Sequence, residues 1–197
     1  MSEAIGHVPP PDVRFAGRTG TLSLLVVGGS LGAAALNQSV PRALALLPAA
    51  MRPRVVHQSG ARHVDALRAA YEEAGIAAQC VPFIDDMAAH YAEADLVLCR
   101  GGAITVAELA AVGVAAIIVP LPGAIADEQS ANAEFLVAAG AALKIPQAEL
   151  TPERLAAAIA SFTREKLLAM AIAGRKLART DAAERVADAC VAFGRER

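Results

Sequence analysis

The chain has 197 residues, which is enough for one sizeable domain or for one half of a two-domain protein. Its 18 basic and 20 acidic side chains give a net charge of −2, and no basic stripe predicts a nucleic-acid partner. The 3 cysteines are widely spaced among apolar residues, which favours reduced thiols in the cytoplasm over disulfides or a metal site. No apolar run reaches the ~20 residues that a membrane-spanning helix needs.

Residues 1–19 include consecutive prolines and show no hydrophobic period, which predicts a linker or the tail of another domain. Residues 20–197 are predicted to form one domain, in which short apolar runs alternate with helix-forming segments. Strands are predicted at 22–27, 54–58, 79–81, 96–99, 115–119 and 141–145, and helices at 33–47, 61–74, 87–93, 103–112, from 128, and from 151 to about 193 with a break near 180–181.

This alternation of apolar strands and helices predicts an α/β fold with a doubly wound, parallel, Rossmann-like sheet. Such sheets bind ligands at the carboxyl ends of their strands, where the glycine turns of this chain lie. The turn at Gly28–Gly32 lacks the G-x-G-x-x-G spacing of a dinucleotide-binding fold. The strand at 54–58 also ends without the acidic residue that holds an NAD ribose, which disfavours NAD as a ligand.

The segment Leu96–Gly113 has the layout of an anion site, with a short strand, the turn Arg100-Gly101-Gly102 and a helix. Unpaired N–H groups at the start of that helix suit a phosphate, and the Thr105 hydroxyl would bind the phosphate or cap the helix. Glu108 follows one turn later on the same face and suits a ribose diol. Together these residues indicate a nucleotide, and the alternative is a capped helix with a solvated carboxylate.

The segment after the third predicted strand carries two kinds of candidate. Asp85 and Asp86 have the wrong spacing for a metal clamp and are better placed to cap the helix at 87–93. Phe83 and Ile84 stand at a strand end, where an apolar pair would cover a flat base or pack in the core.

Polar residues also open the helix that follows the fifth predicted strand. Glu128 and Gln129 lie in its first turn. Their side chains would cap the helix or bind sugar hydroxyls.

Five stretches resemble, in order and spacing, the C-terminal donor domain of the MurG-type N-acetylglucosaminyltransferases of peptidoglycan synthesis. The resemblance extends from about Gly17 to the last predicted helix. The stretches are LLVVGGSLGAAALNQ at 24–38, HQSG at 57–60, FIDDM at 83–87, ADLVLCRGGAITVAELAAVG at 94–113 and DEQSANA at 127–133.

The resemblance implies a binding site for UDP-N-acetylglucosamine (UDP-GlcNAc). The glycine turn with Gly29 and Ser30 would meet the diphosphate. Ile84 would bind the uracil edge through its backbone, with Phe83 and Met87 as an apolar cover over the base.

The resemblance also places ligand contacts on two helices. Thr105 would bind phosphate and sugar, Glu108 would hold the ribose hydroxyls and Gln129 would bind the N-acetylglucosamine (GlcNAc) hydroxyls. Two positions depart from the family. We assign no ligand role to Glu128, and Gly101 replaces a common Ser, which would either loosen the turn or remove one hydroxyl from the site. The contacts on the helix after Gly101 fall on Ala103, Ile104, Thr105, Val106, Ala107 and Glu108.

The family implies one half of a GT-B glycosyltransferase fold and an inverting hexosyltransferase that transfers GlcNAc from UDP-GlcNAc to lipid I, forming lipid II, without a metal or cofactor. Its N-terminal domain binds lipid I, contacts the membrane and carries the proposed catalytic base. No segment before Gly17 matches that domain, so we expect an excised donor domain or a truncated gene product that has no catalytic residue and is inactive alone. The intact enzyme is expected in the cytoplasm, peripheral on the inner membrane. The alternative is a nucleotide-sugar-binding subunit of a split two-chain glycosyltransferase with another acceptor.

Overall fold

A parallel sheet of 6 strands organises the described residues, which are 3–29, 32–123 and 127–178 of a computed structural model. The strands are β1 (Ser23–Val27), β2 (Arg54–Gln58), β3 (Ala78–Val81), β4 (Leu96–Cys99), β5 (Ala115–Ile118) and β6 (Ala142–Lys144). Their order is β3-β2-β1-β4-β5-β6, so the chain builds outward from β1 and then crosses back to its other side. The predicted doubly wound sheet is confirmed, with its change of direction between β1 and β4.

Helices cover both faces of the sheet. They are α1 (Glu3–Gly6), α2 (Pro11–Phe15), α3 (Ala34–Ala45), α4 (Val64–Glu73), α5 (Met87–Glu93), α6 (Ala103–Val112), α7 (Glu128–Val137), α8 (Pro152–Ala160) and α9 (Arg164–Arg175). The predicted bounds of β2, α5, β4 and α6 agree with the structure. Asp86 caps α5 by accepting a hydrogen bond from the Ala89 N–H at 2.9 Å, which confirms the capping interpretation. No helix in the described ranges is long and apolar enough to span a bilayer.

Each face of the sheet buries its own apolar layer, because successive strand residues point to opposite sides. Leu24 and Val26 of β1 lie in the layer that includes α3, α4 and α8, whereas Leu25 lies in the layer that includes α5, α6 and α7. Every residue of β4 and β5 is buried. This two-sided burial explains why the strands are continuous apolar runs in the sequence.

The N-terminal segment differs from the predicted linker. Within 3–19, α1 and α2 are helical, and Ile5 and Phe15 are buried in the two apolar layers. Arg14 is also buried, and its guanidinium donates a hydrogen bond to the carbonyl oxygen of Gly113. The described part of this segment is therefore packed against the domain, and a boundary at residue 19 does not separate it from the sheet.

The C-terminal helical region is divided earlier than predicted. α8 and α9 are separated at 161–163, where Phe162 is buried and Thr163 caps α9 by accepting from the Lys166 N–H at 3.2 Å. Thr151 caps α8, as predicted. The break predicted near 180–181 lies outside the described residues.

A buried carboxylate joins the N-terminal segment, β1 and α9. Asp95, which is 1% exposed, accepts hydrogen bonds from Arg18 at 2.6 Å, Arg164 at 3.1 Å and the Ser23 N–H at 2.9 Å. Burial raises the pKa of Asp95, but the hydrogen bonds from Ser23, Arg18 and Arg164 outweigh it, so the pKa lies below its ordinary value.

We expect Asp95→Asn to lower the free energy of unfolding at pH 7 by about 3 kcal/mol, because two largely buried arginines lose their counter-charge. Since the folded state holds the carboxylate at a lowered pKa, its contribution is present at neutral pH and is lost as the pH falls through that pKa, below the ordinary 3.8. Urea unfolding of both proteins at a series of pH values tests this. A difference that stays constant down to pH 3 would contradict the ionic role.

Candidate functional site

A cavity of about 580 Å³ lies at the carboxyl ends of β1 and β4, where the strand order reverses. The turns after these strands and the start of α3 line it, together with Leu121 and Gln147. Parallel sheets bind ligands at this position, and the volume is typical of a small-molecule site. Of the predicted site residues, Gly29, Thr105 and Gln129 line the cavity. Ser30 lies outside the described residues.

Two helices begin at this cavity, and neither has a side-chain cap. The residue before α3 is Ala33 and the residue before α6 is Gly102, and neither carries an oxygen on its side chain. The first helical hydrogen bonds are donated by the N–H groups of Asn37 in α3 and Val106 in α6. The N–H groups of the preceding residues, 103–105 in α6, have no partner in the helix and face outward with the positive end of the helix dipole.

Arg100 brings a positive side chain to the same cavity. Its guanidinium donates hydrogen bonds to the carbonyl oxygens of Val119 at 3.1 Å and Pro120 at 3.3 Å, and to Oε1 of Gln147 at 2.7 Å. Burial lowers the pKa of Arg100, although an arginine in a protein remains charged. The fixed guanidinium and the two helix N-termini together make the cavity complementary to an anion.

The predicted contacts along α6 are not equivalent. Ala103 and Ile104 are exposed, and Thr105 lines the cavity with its side chain half-buried. Val106 is 5% exposed and belongs to the core, while its N–H donates to the Gly102 carbonyl oxygen. The structure therefore leaves Val106 no free donor for a ligand. Ala107 is exposed beyond the first turn.

Glu108 is held by a second side chain rather than freely solvated. The hydroxyl of Tyr91, which is 1% exposed, donates to Oε2 of Glu108 at 3.3 Å. Burial raises the pKa of Glu108, and the hydrogen bond from Tyr91 acts in the opposite direction. A half-buried, oriented carboxylate favours the ribose interpretation over the solvated one.

The two residues of the predicted apolar pair, which lie in the loop between β3 and α5, differ in their exposure. Phe83 is 55% exposed, whereas Ile84 is 3% exposed and packs in the core beside the partly buried Met87. The Ile84 N–H donates to Oε1 of Gln58 at 3.1 Å. The Ile84 N–H is therefore not available to a base. The backbone group of Ile84 that remains for the predicted contact is its carbonyl oxygen, which can only accept a hydrogen bond.

Gln129 lines the cavity but is partly committed to the protein. Its Oε1 accepts hydrogen bonds from the N–H groups of Gly101 at 3.2 Å and Leu121 at 3.0 Å, so its amide NH₂ is the group left for a ligand. Asn132 also bonds to this turn, donating to the Gly101 carbonyl oxygen at 3.1 Å. A Cβ on Gly101 would overlap the Gln129 carbonyl oxygen. Gly101 therefore allows α7 to pack closely against this turn.

Four polar residues of the site region have contacts that the sequence analysis did not predict. Gln58 and Arg100 stand at strand ends, a position that signals a role at this edge of the sheet. Tyr91 and Gln147 reach the region through packing between distant segments, for which the local sequence carries no signal.

A second cavity, of about 470 Å³, lies between α3 and α4. It is rich in alanine, and Arg42, His63 and Glu73 also line it. Among the described residues, no three or more His, Cys, Asp or Glu side chains are grouped to hold a metal ion. The cavity at β1 and β4 is therefore the one that combines convergent polar groups with the position expected of a ligand site.

The model of the glycosyltransferase family 28 C-terminal domain matches residues 23–186 of the chain. The chain belongs to this family. It is 58% identical over 195 residues to the UDP-N-acetylglucosamine–N-acetylmuramyl-(pentapeptide) pyrophosphoryl-undecaprenol N-acetylglucosamine transferase of Aromatoleum aromaticum, covering 98% of this chain and 55% of that protein. The protein of the same name from Ralstonia nicotianae is 60% identical over 194 residues, with 97% and 53% covered. The family 28 domain described here thus spans about half the length of these relatives.

Solved structures confirm the predicted Rossmann-like half of a GT-B fold. The crystal structure of Acinetobacter baumannii MurG matches with a TM-score of 0.88 and 42% identity, over 93% of this chain and 53% of that chain. WaaG, a glycosyltransferase involved in lipopolysaccharide biosynthesis, matches with a TM-score of 0.59 and 22% identity, over 95% and 51%, and shows the fold alone.

For this family 28 domain, we expect Gly101→Ser to lower the free energy of unfolding by about 1–3 kcal/mol, because the new Cβ overlaps the backbone of Gln129. Gly102→Ser is the matched control, since its Cβ would lie an ordinary 3.8 Å from the Thr105 hydroxyl. Urea unfolding compares the two variants. Equal losses of stability would show that the contact with Gln129 is not the cause.

Proposed function

We propose that this domain binds UDP-GlcNAc and supplies the donor half of an inverting transferase that adds GlcNAc to lipid I, forming lipid II in peptidoglycan synthesis. The observation that carries the proposal is the convergence of two uncapped helix N-termini and Arg100 on one cavity. The relatives from Aromatoleum aromaticum and Ralstonia nicotianae are named for transfer of N-acetylglucosamine from its UDP derivative to an N-acetylmuramyl-(pentapeptide) pyrophosphoryl-undecaprenol, which supports the donor and the acceptor.

The diphosphate is proposed to occupy the cavity between the β1 turn and the start of α6. Its oxygens would accept hydrogen bonds from the free N–H groups at 103–105 and from the Thr105 hydroxyl. Arg100 and the two helix dipoles would offset its negative charge. Gly29 would allow the phosphates to approach the main chain, and Ser30, the next residue in the sequence, is proposed to contact the diphosphate.

The uridine is proposed to lie along the β3–α5 loop and the side of α6. The Ile84 carbonyl oxygen would accept the uracil N3–H, and Phe83 and Met87 would cover the base. Glu108, oriented by Tyr91, would accept hydrogen bonds from the ribose hydroxyls. On the other side of the diphosphate, the Gln129 amide would donate to a hydroxyl of the sugar.

Transfer with inversion requires a hydroxyl of lipid I to attack C1 of GlcNAc while UDP leaves. The charge that grows on the departing diphosphate would be stabilised by the helix N-termini and by Arg100, which are already oriented before the reaction. We assign no general base to the described residues and expect negligible transfer by this chain alone. Lipid I would bind elsewhere in the intact enzyme, at the cytoplasmic face of the membrane.

Isothermal titration of the chain with UDP-GlcNAc, UDP, UDP-glucose and NAD, in the presence of EDTA, tests the proposed donor site. We expect UDP-GlcNAc and UDP to bind, because both carry the base, the ribose and the diphosphate. NAD is expected not to bind, since no acidic residue ends β2. Failure of both uridine nucleotides to bind would overturn the proposal for this chain.

We expect Glu108→Ala to weaken UDP binding by roughly 1–3 kcal/mol, because the ribose hydroxyls lose their acceptor. Glu128→Ala removes an exposed carboxylate at the start of α7 and is the control, with affinity expected to stay unchanged. Calorimetry with UDP measures both variants. An unaltered affinity in Glu108→Ala would remove that residue from the ribose site.

A further inference from the structure

Gln58 is the last residue of β2 and lies between two segments that the proposed site uses. In the sheet it pairs with Val27 of β1 on one side and with Val81 of β3 on the other. The turn with Gly29 follows β1, and the loop with Ile84 follows β3. Gln58 is 3% exposed, so its polar side chain needs partners inside the protein.

The two partners of Gln58 belong to these two segments. Its Nε2 donates to the Gly29 carbonyl oxygen at 3.0 Å, and its Oε1 accepts from the Ile84 N–H at 3.1 Å. A neutral amide can donate at one end and accept at the other with a fixed spacing, which neither a carboxylate nor an apolar side chain can do. The side chain therefore connects the diphosphate turn to the base loop.

The backbone that carries Gln58 is fixed on both sides. The preceding residue, His57, is fully buried and bonds to the Tyr71 hydroxyl at 2.9 Å and to Oδ1 of Asn37 at 3.0 Å. The following residue, Ser59, donates its N–H to the Val81 carbonyl oxygen at 3.0 Å. Because its backbone is held in this way, the Gln58 side chain keeps the two segments to which it bonds at a fixed separation.

We propose that Gln58 is a positioning residue that sets the spacing between the diphosphate turn at Gly29 and the base loop at Ile84. This inference rests on the proposed UDP site, because those two segments would hold the two ends of the uridine diphosphate. Gln58 itself does not touch the nucleotide. It acts by holding the Gly29 turn and the Ile84 loop, the two half-sites, at the separation that one molecule of UDP spans. The affinity for UDP should therefore depend on Gln58 more strongly than the affinity for uridine alone or for pyrophosphate alone.

The test compares the whole ligand with its two parts in the unaltered chain, Gln58→Met and Gln58→Glu. UDP binding is measured by calorimetry, and binding of uridine and of inorganic pyrophosphate by NMR titration. Gln79→Met is the matched control, because Gln79 is an exposed glutamine on β3. Amide hydrogen exchange at Ile84 in the absence of ligand reports the hydrogen bond itself.

We expect Gln58→Met to weaken UDP binding about tenfold while uridine and pyrophosphate each change by less than about threefold. Exchange at Ile84 should become faster in Gln58→Met and stay slow in Gln58→Glu, which keeps the acceptor but loses the donor to Gly29. Gln58→Glu should nevertheless lose UDP affinity, so the role remains testable where Gln58→Met does not fold.

Two results would overturn the inference while the proposed function stands. The first is that Gln58→Met and Gln58→Glu both bind UDP with the same affinity as the Gln79→Met control. The other is an equal loss for UDP, uridine and pyrophosphate, which would mean that each half-site is simply damaged. Absence of UDP binding in the unaltered chain would overturn the proposed function and this role together.

Discussion

The hydrogen bonding of β1 to parallel neighbours on both sides is the constraint on which the site depends. Because β2 and β4 both run parallel to β1, all three strands end at the same edge of the sheet. The chain leaves β1 toward one side and returns on the other, so the turns after β1 and β4 diverge and leave a crevice between them. The cavity is therefore a consequence of strand order, and the side chains only determine what it can bind.

The two helices that start at this crevice are left open at their positive ends. A helix N-terminus is usually completed by a Ser, Thr, Asp or Asn cap, as Thr151 does for α8 and Asp86 does for α5. Ala33 and Gly102 stand at the corresponding positions of α3 and α6 and offer no such oxygen. Side chains cap α5, α8 and α9, whereas α3 and α6, like α2, α4 and α7, have no side-chain cap. What distinguishes α3 and α6 is that both begin at the cavity, where their free N–H groups are available to an anion.

The sequence was sufficient to predict the elements that local residue patterns specify. It was insufficient where the structure of a segment depends on contacts with residues far away in the chain. The buried strands β2 and β4 and the glycine-bounded helix α6 were predicted at their observed bounds, since apolar runs and turn residues specify them directly. Residues 1–19 were predicted as a linker or the tail of another domain, because they contain consecutive prolines and show no hydrophobic period. In the structure, Pro11 begins α2, and Arg14 donates to the carbonyl oxygen of Gly113, which is far away in sequence. Fold class was therefore accessible from local signals, whereas the packing of this segment depends on long-range contacts.

The candidate site shows the same division at the level of single atoms. Motifs placed Gly29, Thr105 and Gln129 at the edge of the sheet where the cavity lies, but they did not show which polar atoms are already used by the protein. The Ile84 N–H donates to Gln58, and the side-chain Oε1 of Gln129 accepts from two main-chain N–H groups. The Ile84 carbonyl oxygen and the Gln129 side-chain NH₂ are the groups left for a ligand. In the proposed site, a ligand would therefore donate at Ile84 and accept at Gln129 and at the helix N-termini. Uracil offers an N3–H donor, and a diphosphate-linked sugar offers the acceptors, so the atoms that remain free are compatible with the proposed uridine nucleotide sugar.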